Sequence, residues 1–345
     1  MTRNRTLRNT LTLLLGCALV TGGLWMPAAL AEEKPTFVLQ QIDEPTGTTG
    51  EVRLSVSGQH LTDLYAYELH LAYDPLRLKL KRAETDIPGF TVLPKEQENR
   101  ITFAHTKVGG VPGENGDLTL GELTFETIGD GVAKVSLLDV QLVNSRLTMT
   151  THAVSAGVLI GSAPTLTDIE GHWAEDSIRK AAALGLADGY EDRTFRPQNP
   201  ISRAEFAALL VRAMELPFGK ETASTFADDS RIPAWAKKYV AAAVRANLLS
   251  GYEDRTFRAD NLLSRPEMAA IMVRATGMPV SPEAVPEFAD VADIPSWSRP
   301  NVAAGAKAGL IDGKDNGLFA PNEHTTRAEA ITIILRLLDK LDQQQ

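Results

Sequence analysis

The chain has 345 residues, of which 43% are hydrophobic and 23% charged, an ordinary globular composition with room for two or three domains. Beyond residue 31 it carries 32 basic and 44 acidic side chains, a net −12 that excludes bulk attraction to nucleic acid or to an anionic membrane. The one cysteine, Cys17, excludes a disulfide framework, so each domain must bury its own core and any anionic partner must be held by a local basic site.

Residues 1–31 read as a secretory signal peptide: Arg3, Arg5 and Arg8 without an acid, an apolar run from Leu11 to Leu24, and Ala29-Leu30-Ala31 before the polar Glu32. Cleavage is expected after Ala31. A retained transmembrane helix would need about 20 consecutive apolar residues, and Thr21-Gly22-Gly23 and Pro27 interrupt the run. Leu14-Leu15-Gly16-Cys17 also has the form of a lipobox, which would lipidate Cys17. Against that reading, the residues after Cys17 stay apolar as far as Ala31, where a lipidated terminus would turn polar. Once the leader is removed the chain has no cysteine, as is usual for surface proteins of Gram-positive-type bacteria, and no span is left to cross a membrane.

From residue 36 to 160 the apolar residues alternate: Val52, Leu54 and Val56; Tyr65, Tyr67, Leu69, Leu71 and Tyr73; Leu76, Leu78 and Leu80; then Val135 and Leu137. Period two means half-buried antiparallel strands. Turn signals at Gly58, Asp74-Pro75, Pro88-Gly89, Gly129-Asp130-Gly131 and Asn144-Ser145 are frequent enough for eight or nine short strands, hence an all-β sandwich. The glycine-rich segment from Gly109 to Gly116 lacks the Lys-Ser/Thr pair and the following helix of a phosphate cradle, so it reads as a loop. Residues 161–165 supply a short linker.

The segments Tyr65 to Pro75, Ile101 to Ala104, Leu120 to Phe125 and Asp139 to Ser145 resemble a cohesin domain over about 125 residues. The resemblance implies a jelly-roll sandwich and, as partner, a dockerin-bearing secreted protein. It carries no individual contact residue with it, and sandwiches of this kind also bind sugars or act as spacers.

Beyond the linker the spacing turns helical and repeats. Trp173, Trp235 and Trp297 are 62 residues apart, and the same interval relates Gly189, Gly251 and Gly313; Phe195, Phe257 and Phe319; Arg203, Arg265 and Arg327; and Arg212, Arg274 and Arg336. The array divides into repeats at 166–218, 225–280 and 287–341. In each, a first helix follows the Trp and stops at Gly185, Asn247 or Gly309, residue types that tolerate a left-handed cap. A second helix opens with Ser202-Arg203-Ala204-Glu205, Ser264-Arg265-Pro266-Glu267 or Thr326-Arg327-Ala328-Glu329, each a capping box.

Phe226-Ala227-Asp228, Trp235, Gly251-Tyr252, Thr256-Phe257 and Ser264-Arg265-Pro266-Glu267 closely resemble the pattern of S-layer homology domains, and the resemblance covers about 175 residues. It implies an all-α unit in which three repeats stand around a pseudo-threefold axis. The implied ligand is secondary cell-wall polysaccharide, often ending in an acidic pyruvyl ketal, bound in grooves between repeats.

The candidate binding residues are Arg203, Arg265, Arg327, Trp173, Trp235, Trp297, Gly189, Gly251 and Gly313. Each of these arginines opens a helix, where the dipole disfavours a cation. An anion nearby is therefore expected, either on the ligand or on the loop acids Glu191, Asp192, Glu253 and Asp254. The tryptophans either pack in the core, the favoured reading, or stack on a sugar. The glycines read as turn residues that also let backbone approach a ligand. Arg212, Arg274 and Arg336 read as structural because they lie near helix C-termini. The third repeat departs most, with Lys314 for the tyrosine, Gly317 for the arginine and Thr325 for the apolar residue before the cap.

No HExxH or GxSxG occurs, and the repeated acid pairs lie in adjacent turn positions. Arg193 stands where an EF-hand requires glycine. The sequence therefore points to a non-enzymatic cell-surface anchor and display protein with no metal and no cofactor. The alternative keeps the anchor but makes the sandwich a carbohydrate-binding or structural module of the S-layer.

Overall fold

The computed structural model describes residues 33–42, 50–220 and 225–343. The leader and its cleavage site lie outside the described residues.

Among the described residues the alternating region forms nine antiparallel strands: β1 (Thr36–Gln41), β2 (Glu51–Tyr73), β3 (Leu78–Glu84), β4 (Phe90–Thr91), β5 (Lys95–Gln97), β6 (Arg100–Thr106), β7 (Glu114–Thr127), β8 (Ala133–Asn144) and β9 (Met149–Ile160). Every second residue faces one core, so Val52, Leu54, Val56, Tyr67, Leu69 and Leu71 are buried together with Phe103 and Phe125. The turn expected at Gly58 is not a break. β2 runs on for 23 residues; its first half pairs with β1 and β7, its second half with β6 and β8.

The strand bends where His60 (φ 55) and Asp63 (φ 52) take left-handed backbone and the ladder to β7 slips. Asp63 holds the bend. Its carboxylate accepts hydrogen bonds from the Ser145 hydroxyl (2.8 Å) and N–H (3.3 Å) and from Gly113 N–H (3.2 Å). These bonds, led by the Ser145 hydroxyl, lower its pKa. A Cβ on Gly113 would lie 2.3 Å from the Asp63 carbonyl carbon, so only glycine fits there. The segment from Gly109 runs through this loop into β7, which starts at Glu114.

The repeats supply α1 (Glu175–Ala183), α2 (Arg203–Ala213), α3 (Ala234–Arg245), α4 (Arg265–Thr276), α5 (Arg299–Lys307) and α6 (Arg327–Asp342). Just past the first helices, Gly185, Asn247 and Gly309 adopt φ of 69, 58 and 70. The second helices begin with capping boxes in which both reciprocal bonds are present.

A two-helix repeat cannot bury its apolar face alone, so the repeats share one core around Phe195, Phe206, Phe257 and Phe319. The second helix of each repeat packs on the first helix of the next: α2 on α3, α4 on α5, and α6 back on α1. The backbone follows the same circuit. Leu263 N–H donates to Ile201 O (2.9 Å), Thr325 N–H to Leu263 O (2.8 Å) and Ile201 N–H to Thr325 O (2.9 Å). Thr325, the polar departure of the third repeat, is fully buried in this circuit.

The sandwich docks directly on the first repeat. Asn99 Nδ2 donates to Leu216 O (3.0 Å), and its Oδ1 accepts from Phe218 N–H (2.8 Å). Arg77 bridges Asp74 (2.9 Å) and Asp188 (2.5 Å), and Lys134 pairs with Glu215. Residues 161–165 thus cross a packed junction.

Candidate functional site: three grooves between repeats

Asp168, Asp228 and Asp290 position the groove walls, a role the sequence reading did not assign. The two carboxylate oxygens of each accept from consecutive N–H groups: Phe195 and Arg196 (2.6 and 2.7 Å), Phe257 and Arg258 (2.7 and 2.8 Å), Phe319 and Ala320 (2.8 and 2.7 Å). The second residue of each pair has φ of 57, 57 or 56. This clamp aims the phenylalanine carbonyl at the neighbouring repeat.

There it meets the arginines that open the second helices. Arg203 Nε donates to Phe257 O (3.0 Å), Arg265 to Phe319 O (2.7 Å) and Arg327 to Phe195 O (2.9 Å). Further N–H groups reach Ser250 O (3.0 Å), Asp312 O (3.2 Å) and Asp188 O (3.4 Å). The anion expected beside them is neither a loop acid nor free for a ligand alone. It is the capping glutamate of the next repeat: Glu267 to Arg203 (3.3 Å), Glu329 to Arg265 (2.7 Å) and Glu205 to Arg327 (3.4 Å).

One glutamate oxygen thus caps its own helix while the other pairs across the joint. Burial pushes the Glu267 carboxyl up, but hydrogen bonds from Tyr252 and Ser264 and the Arg203 charge outweigh it and hold the pKa below the usual range. Arg203 and Arg265 are only 4% and 3% exposed, so these helix starts are not open surface. Among the loop acids, Asp192 and Asp254 instead pair with Arg196 (2.9 Å) and Arg258 (2.8 Å). Each is pulled down to about 2, chiefly by the hydroxyl of Thr194 or Thr256.

Core packing of the tryptophans does not hold. Trp173, Trp235 and Trp297 are 63%, 50% and 56% exposed, and behind Trp235 the buried face of α3 is filled by alanine, Val240 and Tyr239. Gly189, Gly251 and Gly313, read as turn residues, do not take positive φ. A Cβ at these positions would lie 2.5 Å from Leu166, 2.4 Å from Phe226 and 2.9 Å from Phe288, so close packing demands glycine.

These residues converge on three grooves. The first is lined by Gly189, Tyr190, Glu205, Arg212, Trp235 and Arg327 and has a volume of about 390 Å³. The second gathers Gly251, Tyr252, Glu267, Arg274, Trp297 and Arg203 around about 590 Å³. The third gathers Gly313, Lys314, Glu329, Arg336, Trp173 and Arg265 around about 460 Å³. Each groove takes its glycine and glutamate from one repeat, its helix-opening arginine from the preceding one and its indole from the following one. Arg212, Arg274 and Arg336 do support helix ends, donating to Leu186 O, Leu248 O and Leu310 O (3.4, 2.8 and 3.4 Å), and they also face the grooves.

Each groove can stack a sugar ring on an exposed indole while polar groups and guanidinium fix its substituents. No three His, Cys, Asp or Glu side chains are grouped to hold a metal ion among the described residues, and none of the described helices is long and apolar enough to cross a membrane.

The S-layer homology domain family matches residues 165–207, 225–269 and 287–331. An amylopullulanase of Thermoanaerobacterium thermosulfurigenes is 33% identical over 51% of this chain and 10% of its own length. A cellulosome-anchoring protein of Acetivibrio thermocellus is 32% identical over 44% of this chain and 35% of its own. The chain thus spans well under two thirds of these relatives, and the enzyme parts of such relatives lie outside the matched region. Among solved structures, a type II cohesin module from a scaffoldin of Acetivibrio cellulolyticus is similar at 14% identity, covering 38% of this chain and 98% of that one with a TM-score of 0.31. Repeat period, closed packing and family match agree: this chain carries three S-layer homology domains.

Proposed function

We propose that this chain is a non-enzymatic anchor and display protein of the cell wall and S-layer surface of a Gram-positive-type bacterium. Its three repeats act as one pseudo-threefold unit whose grooves bind secondary cell-wall polysaccharide through the acidic pyruvyl ketal of a terminal sugar. The observation that carries this reading is the threefold recurrence of one composite groove, with an exposed indole, a close-approach glycine and guanidinium groups on a salt-bridged frame. Arg203, Arg265 and Arg327 line these walls from within that frame, while the tryptophans offer the stacking surface.

The test is sedimentation with purified walls in three forms: native, mildly acid-treated to cleave ketals, and stripped of polysaccharide. Strong binding to the first and loss on the other two is expected. Trp235→Ala with Trp297→Ala should weaken native-wall binding at least about tenfold without changing helix content, because both indoles are half exposed. Equal binding to native and stripped walls would refute the polysaccharide.

The sandwich is proposed to bind a dockerin-bearing secreted protein. Its cohesin-like motifs support this, as do the exposed Phe90 and Leu93 (60% and 87%) beside β4. Titration of residues 33–160 with calcium-loaded dockerins should show binding that a chelator abolishes. Retention on a glycan column without dockerin binding would move the module to the carbohydrate-binding class.

A further inference from the structure

The three grooves share a plan but not a charge state. Each has an arginine near the end of the second helix, anchored to the carbonyl of a leucine: Arg212 to Leu186, Arg274 to Leu248, Arg336 to Leu310. What differs is the residue two places beyond that leucine. It is Asp188 in the first repeat, Ser250 in the second and Asp312 in the third.

Asp312 pairs with Arg336 and so neutralises the third groove's arginine. Asp188 lies 3.3 Å from Arg212 but also holds Arg77 of the sandwich at 2.5 Å, so its charge is divided. Ser250 offers no charge. Arg274 is exposed and makes no ion pair among the described residues. Other acids on the rim do not replace the missing one. Asp254 is held by Arg258 (2.8 Å), and Glu267 serves Arg203, Tyr252 and its own cap. Glu253 also lines the groove and makes no ion pair among the described residues.

We propose that the second groove is the principal site for the acidic sugar, and that the residue at 188, 250 or 312 sets the affinity of each groove by supplying or withholding a counter-ion. This rests on the wall-polysaccharide reading above. A guanidinium without a protein carboxylate is available for a charge-assisted, bidentate bond to a ligand carboxylate, whereas a paired one must first give up its partner. The second groove is also the largest of the three, at about 590 Å³.

The experiment is calorimetric titration of the full chain with polysaccharide released from purified walls by muramidase. The parent should show one strong class of site. Ser250→Asp and Arg274→Gln should each weaken it at least about tenfold. Ser250→Asn, which matches the bulk without the charge, should lose far less. Asp312→Ser, which releases Arg336, should add a second strong site. Aspartate already occupies this position in the other two repeats, so Ser250→Asp asks nothing new of the fold, and an unchanged thermal melt checks this. No binding by the parent would remove the polysaccharide reading and this one with it. Parent binding that Ser250→Asp or Arg274→Gln leaves intact would overturn this proposal alone.

Discussion

The sandwich and the repeat unit solve the same problem of burial in opposite ways. The sandwich core is closed by one long strand shared between ladders, so its contacts join residues far apart in sequence and each is made once. The repeat unit makes the same contact three times and places an ion pair at every joint, with Arg203 and Arg265 buried at two of them. A buried charge is costly unless fully paired, so the arginines contribute less to net stability than to choosing which surfaces meet. The difference teaches that in the ring one residue type recurs at every closing joint, while in the sandwich each closing contact is unique.

The largest expected effect tests that contrast. Arg203→Ala with Arg265→Ala should destabilise the repeat unit by about 3 kcal/mol per site, because each change strands a partly buried glutamate and two carbonyls. Denaturant unfolding followed at 222 nm would show early loss of helix with the sandwich transition unmoved. A double variant that unfolds like the parent would refute the structural role. Leu69→Ala, at a fully buried position of the shared strand, should cost the sandwich about 2–5 kcal/mol and leave the helices in place; loss of both regions together would show that they fold as one.

Asn99→Ala sharpens the comparison at the junction. It removes both hydrogen bonds to the 216–218 segment, for about 1–3 kcal/mol, and scanning calorimetry should show the two regions melting further apart.

The smallest effect is pH-dependent and confined to the sandwich. His70 lies 2.7 Å from both Asp139 and Glu68. Burial works against its charge, but the hydrogen bonds its ring N–H groups donate to Asp139 and Glu68 outweigh it and raise the pKa. A raised folded-state pKa adds stability that is complete below the unfolded histidine value and is lost as pH rises through the folded one. The sandwich should therefore melt lower as pH climbs through that range, by less than about 1 kcal/mol. His70→Asn should flatten the dependence, and an equal slope in both would exclude His70.

Much of this was legible in the residues themselves. Alternation placed the strands, the 62-residue interval defined the repeats, and Ser202, Ser264 and Thr326 with their glutamates marked helix starts, because these signals are local and depend only on backbone geometry. The dipole argument also found that Arg203, Arg265 and Arg327 require an anion. It could not say which one, since Glu267 lies 64 residues from Arg203 and Glu205 lies 122 from Arg327. Exposure of the tryptophans and the grouping of glycine, arginine and indole from three different repeats were likewise decided by ring closure. So was the contrast between Ser250 and its aspartate counterparts, visible as letters but meaningful only beside Arg274. Periodicity fixes which face of an element is apolar; only the packed circuit determines which element that face meets.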